Sequence, residues 1–265
     1  MPGFSVLLRA CGALGASLAL FSTPASAAEQ SASSWCAPEL EQLANGACGY
    51  LPERATAQAS QARTLILFLH SLVPVGRNWQ WEQQRTVLRI AQANGFATLM
   101  PRGRRGIGPG RLPDTWAWPT SSSAQDELED DLIAEWKSAR AELERRQGAR
   151  FERLYVFGFS NGAYYTSSLA LRGRLEEADG YAAFSGGAGG KYASVLGSRT
   201  SRRVPIFIGY GTRDPAHNDM RTLAKTLSLL GWRHRVKAED VGHTVTDTQL
   251  RFAIAYLSSP HPPEQ

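Results

Sequence analysis

The sequence has little sulfur: three cysteines and three methionines in 265 residues. No histidine stands near any cysteine, so the short-spaced ligand pairs of a zinc site are missing and no metal or organic cofactor is implied. Long apolar runs are also missing. The best of them, residues 11–21, falls short of the roughly 20 residues that a permanent membrane span needs. No internal repeat or low-complexity linker breaks the chain, and the 14 prolines and 25 glycines follow no collagen-like period. Charge of one sign is scarce too, the formal balance being only +5. The basic residues are scattered, and the one dense group, Arg102, Arg104 and Arg105, is short and interrupted by glycine. That pattern fits a solvated basic surface and excludes the contiguous basic face of a nucleic-acid binder. With 43% hydrophobic and 20% charged positions, the chain can bury a sizeable core and is not a disordered tail.

The first residues carry a processing pattern. A single charge at Arg9 precedes the uncharged segment 11–21, and Ala25-Ser26-Ala27 supplies the small-x-small ending that a signal peptidase accepts. We expect a cleaved export signal over residues 1–27 and a periplasmic or extracellular protein; an uncleaved anchor is the alternative. Cleavage removes Cys11 and leaves Cys36 and Cys48. An even pair in an exported chain fits one disulfide within an N-terminal extension, residues 28–63. Two free thiols are the alternative.

Beyond residue 63, apolar runs alternate with helix-like stretches. Residues 64–69, 96–100, 154–159, 181–185, 204–210 and 235–241 have the continuous apolar character of strands buried on both faces. Between them, residues 126–146 place Leu128, Leu132, Ile133, Trp136, Ala139 and Leu143 on one helical face. The acidic run 126–131 opens this helix and Arg145-Arg146 closes it, the order that the helix dipole favours, so the run is expected to be a solvated face. The alternation predicts an α/β fold, a mostly parallel central sheet with helices on both faces, over residues 64–258. Residues 259–265 form a Pro-rich tail, and 101–124 one long irregular segment of the kind that is usually functional or mobile.

Gly158-Phe159-Ser160-Asn161-Gly162 joins a predicted strand to a predicted helix, the setting of a G-x-S-x-G nucleophile turn. A serine hydroxyl needs a base, and the base needs an acid to orient it. Of the histidines after Ser160, His261 lies in the tail and His234 enters a strand, whereas His243 directly follows one. Asp214 follows a strand and a glycine turn, which puts it on the same sheet edge as Ser160 and His243; Asp219 is the reserve, and Asp179 falls on the opposite edge. An oxyanion needs two backbone donors. Asn161, after the nucleophile, gives one, and Leu72, in the turn His70-Ser71-Leu72, gives the other, with His70 orienting that turn.

Taken together, the HSL turn, GFSNG, GTRD and GHT resemble the alpha/beta-hydrolase superfamily, in its small secreted esterase branch of polyhydroxybutyrate-depolymerase-like, feruloyl-esterase-like and dienelactone-hydrolase-like proteins. The resemblance covers residues 64–258. Two departures stand out: Ser71 takes the place of the family's usual glycine after His70, and Val73-Pro74-Val75-Gly76-Arg77-Asn78-Trp79 replaces its aromatic or glycine-rich run. The resemblance implies hydrolysis of a small or oligomeric carboxylic ester through Ser160, His243, Asp214 and an acyl-enzyme, without a cofactor. A serine peptidase of the same fold and a non-catalytic binding protein are the competing classes. Trp79, Trp116 and Trp118 are candidate substrate contacts, on the expectation that residues 101–124 overhang the pocket; covering the sheet is their alternative role. Arg102, Arg104, Arg105 and Arg111 could attract an anionic substrate or simply be solvated. Ala188-Gly189-Gly190 is either an access path or a turn.

Overall fold

The computed structural model describes residues 34–53 and 63–259; the expected export segment, His261 and residues 260–265 of the tail lie outside the described residues. The main sheet has eight strands: β1 (Glu41–Gln42), β2 (Cys48–Tyr50), β3 (Thr64–Leu69), β5 (Ala97–Met100), β8 (Arg153–Phe159), β9 (Gly180–Phe184), β10 (Ile206–Gly211) and β11 (His234–Glu239). Their spatial order is β1-β2-β5-β3-β8-β9-β10-β11. The six strands from β5 to β11 run parallel, while β2 pairs antiparallel with β5, and β1 with β2. All six expected strands are present, with ends moved by at most two residues, but β11 lies at the sheet edge and is half-exposed rather than buried on both faces. The stretch expected as a separate extension is instead the edge of the sheet, and Cys36 is bonded to Cys48 at its border.

Alternation along the strands divides the core into two layers. Leu65, Leu67, Leu69, Leu154, Val156, Ile206 and Ile208 face one layer, built with α2 (Ser122–Gln147), α3 (Asn161–Arg172), α4 (Gly190–Arg199) and α5 (His217–Leu229). Ile66, Phe68, Tyr155, Phe157 and Phe207 face the other, covered by α1 (Trp79–Asn94) and α6 (Asp247–Ser258). Burial on both faces explains why these strands are continuously apolar.

Two expectations are corrected. Residues 101–124 are not an irregular overhang. β6 (Arg104–Arg105) and β7 (Thr115–Ala117) fold back with β4 (Val73–Pro74) into a small antiparallel sheet, and Ser121 caps α2. The acidic run is not wholly solvated either, because Glu129 is only 2% exposed. Burial pushes its carboxyl up, but the guanidinium groups of Arg172 and Arg174 outweigh that and hold it below the usual range.

Candidate active site

Parallel strands deliver whatever follows them to one sheet edge. β8 ends at Phe159, β10 at Gly211 and β11 at Glu239, so Ser160, Asp214 and His243 all emerge at the carboxyl edge. Ser160 sits at the junction of β8 and α3 with φ 54° and ψ −117°, a conformation that a non-glycine residue adopts only when its surroundings enforce it. The flanking glycines show what enforces it. A Cβ at Gly158 would lie 2.3 Å from the Gly162 carbonyl oxygen, and one at Gly162 would lie 2.1 Å from the Leu69 carbonyl oxygen. The Ser160 N–H is tied to the Phe184 carbonyl at 2.9 Å, which locks the turn to β9.

The three candidate groups meet as expected. Ser160 Oγ lies 2.9 Å from His243 Nε2, and His243 Nδ1 lies 3.0 Å from both carboxylate oxygens of Asp214. The imidazole packs against the Phe159 ring with centroids 5.2 Å apart and remains open to solvent on its other side. Asp214 is almost completely buried. Burial raises its pKa, yet the Ser185 hydroxyl, the Ala216 N–H at 2.8 Å and His243 together hold it below the ordinary carboxylate range. It therefore stays ionised beside the imidazole. Asp219, the reserve acid, lies in the first turn of α5 and accepts the Tyr164 hydroxyl instead.

Sequence inspection missed Ser185. It also has positive φ, at 52°, and its hydroxyl lies between the Asp214 carboxylate and the Thr244 carbonyl, 3.0 Å from the latter, joining the Asp214 and His243 loops. Its only sequence signal was its place at the end of an apolar strand.

The two oxyanion candidates both lie beside Ser160. The Asn161 N–H belongs to the first turn of α3, where helix geometry leaves donors without intrahelical acceptors. Leu72 lines the cleft beside Ser160 and His243, and among the described residues its N–H donates to no protein backbone. His70 is buried. Its Nε2 accepts the Gly103 N–H at 3.0 Å, which leaves the proton on Nδ1, directed at the Ser71 carbonyl. Burial pulls its pKa down to about 4, so it stays neutral and orients the turn.

The cleft above the triad has a volume of about 910 Å³ and is walled by part of the segment 71–86 together with Phe159 and Val245. Trp79 lines it and is 60% exposed. The other two candidate tryptophans do not reach it. Trp118 is 0% exposed, donates from Nε1 to the His70 carbonyl at 2.9 Å and packs against Trp136 and Tyr165. Trp116 is covered by Trp35 and by the Arg102 guanidinium, 4.4 Å from its ring. The arginine-rich segment is committed elsewhere as well, since Arg104 pairs with Glu135 and Arg105 with Asp114. Ala188-Gly189-Gly190 is a packed turn: the Ala188 N–H meets Ser167 Oγ, and a Cβ at Gly189 would lie 2.7 Å from the Leu223 nitrogen. A second cavity of about 470 Å³, lined by Arg172, Arg199 and Arg202, lies at the amino edge of the sheet, away from this chemistry.

A mostly parallel sheet in this order, covered on both faces and carrying a strained serine turn at its carboxyl edge, is an alpha/beta-hydrolase fold. No family model matches the chain. It is 25% identical over 218 residues to acyl-protein thioesterase 1 of Eremothecium gossypii, covering 78% of this chain and 92% of that one. To acyl-protein thioesterase 1 of Saccharomyces cerevisiae it is 27% identical over 180 residues, 61% of this chain and 75% of the other. Among solved structures, esterase PE8 superposes with a TM-score of 0.57 at 19% identity, covering 82% and 97% of the two chains.

Proposed function

We propose that the protein is an exported serine hydrolase that cleaves carboxylic esters through an acyl-enzyme on Ser160. The supporting observation is the unbroken relay from Ser160 Oγ, 2.9 Å from His243 Nε2, through Nδ1 to Asp214 at 3.0 Å. In this reading His243 removes the Ser160 proton as Oγ attacks the ester carbonyl. The oxygen of the tetrahedral adduct is stabilised by the Leu72 and Asn161 N–H groups. His243 then protonates the leaving alkoxide, and water, activated by the same imidazole, releases the acid. Asp214, ionised and buried, keeps the imidazole proton on Nδ1 so that Nε2 can accept.

Export is favoured by the N-terminal pattern and by the Cys36–Cys48 bond, which persists in an oxidising compartment. The names of the two curated relatives favour a second substrate, the thioester of an acylated cysteine, which the same three groups could attack. A panel of short acyl esters, feruloyl esters, hydroxybutyrate oligomers, acyl thioesters and peptide amides, run with wild type and Ser160→Ala, tests both. We expect turnover of oxygen esters that disappears in the variant. Preference for thioesters would select the second reading, and activity unchanged by the substitution would overturn both.

A further inference from the structure

We propose that Gln83, on α1, is a positioning residue that fixes the oxyanion donor of this site, an inference that rests on the esterase function proposed above. The relevant unit is the peptide between Ser71 and Leu72. A trans peptide is planar, so its carbonyl and N–H point in opposite directions and fixing one fixes the other. The carbonyl accepts from the buried His70 Nδ1 at 2.5 Å, so the N–H, that of Leu72, points the opposite way, on a residue that lines the cleft.

That peptide would still be free to tilt if Ser71 were loose. Gln83 removes the freedom with two bonds from one amide. Its Oε1 accepts the Ser71 N–H at 2.9 Å, and its Nε2 donates to Ser71 Oγ at 2.7 Å. The Ser71 hydroxyl in turn donates to the Leu72 carbonyl at 3.2 Å. Hence the residues on both sides of the critical peptide are tied to α1, which is anchored on the sheet by Val87, Leu88, Ile90 and Ala91. The same pairing uses up the Ser71 N–H, leaving Leu72 as the donor that this turn offers to a substrate oxygen. Gln83 is only half-buried on the cleft wall, so no packing requirement explains an amide there. A glutamine bonded twice to one residue is a geometric constraint on that residue.

Gln83→Met keeps length and helix preference while deleting both bonds. Removing an oxyanion donor outright costs about 10²–10³ in kcat. Loosening one should cost less, roughly 10- to 100-fold in kcat for a short acyl ester, with KM within about twofold. A boronic acid that forms a tetrahedral adduct on Ser160 should lose affinity by the same factor, while the thermal midpoint stays put. Ser71→Ala, which removes the hydroxyl's bonds to Gln83 and to the Leu72 carbonyl but keeps the Ser71 N–H on Gln83, should lower both quantities by about threefold and add less in the Gln83→Met background than in wild type. Unchanged kcat and boronate affinity in Gln83→Met, with Ser160→Ala inactive, would overturn the positioning role and leave the esterase function standing. A rise in KM alone would also overturn it, in favour of direct substrate contact. Full activity in Ser160→Ala would remove the underlying function itself. If Gln83→Met fails to fold, Ser71→Ala carries the test: paired losses support the clamp, and unchanged values refute it.

Discussion

Residues 71–86 and 101–121 invite comparison because both leave the carboxyl ends of neighbouring parallel strands, β3 and β5, and both bring tryptophan and arginine to the active-site edge. Their fates differ. The first becomes the cleft wall: Trp79 is exposed, and Arg77 and Glu82 line the opening. The second folds into a small sheet, buries Trp118 beneath the oxyanion turn and pairs Arg104 and Arg105 with acids. The contrast shows that similar side chains at one edge serve recognition or support according to how fully they are already bonded. Trp118 carries the point furthest. Its Nε1 holds the His70 carbonyl, and its N–H donates to Asn161 Oδ1 at 2.7 Å, so it braces both turns that carry the proposed oxyanion donors.

Substitutions in the supporting segment should therefore cost stability, and those of exposed wall side chains such as Trp79 should cost affinity. The largest effect is expected from Trp118→Ala, about 3–5 kcal/mol of unfolding free energy in urea, with activity falling alongside. A loss below about 1 kcal/mol would dissolve the distinction. Next comes His70, on which the supporting segment converges. An unfolded imidazole titrates near 6.5 and the folded one at about 4, so the unfolded chain takes up the proton first as pH falls. Stability from this group is complete above 6.5 and is lost on the way down to 4, an amount of roughly 3 kcal/mol. Urea melts at pH 7 and 4.5 should show a steeper loss in wild type than in His70→Gln; parallel losses would mean that His70 is not held neutral. The smallest stability change is expected for Trp79→Ala, within about 0.5 kcal/mol, yet KM for the best ester should rise several-fold. An unaltered KM would remove Trp79 from recognition.

These contrasts also mark what could be read from residues alone. The parallel strands were legible because burial on both faces leaves an unbroken apolar run, as in Leu65 to Leu69. Ser160 was legible because it directly follows such a run, and Asp214 and His243 because each stands in a turn shortly after a predicted strand. The cleft wall was not. In Trp116-Ala117-Trp118 a two-residue period separates the tryptophans from Ala117 but says nothing about which face meets the cleft, and β4, β6 and β7 are too short to show any period. Glu129 was partly legible. It continues the buried helical series of Gln125, Leu132, Trp136 and Leu143, a position that should have excluded it from the solvated run. The Gln83 clamp depends on two side chains 12 positions apart meeting across a turn, and no local pattern encodes that.

The most direct test of the central claim is covalent. A fluorophosphonate probe should place one adduct on the peptide containing Ser160, block ester hydrolysis in proportion to labelling, and react far more slowly with Asp214→Asn, in which the imidazole loses its ionised partner. A single adduct on Ser160 that titrates activity to zero is the expected result. Labelling at another residue, or full hydrolysis with Ser160 blocked, would contradict it.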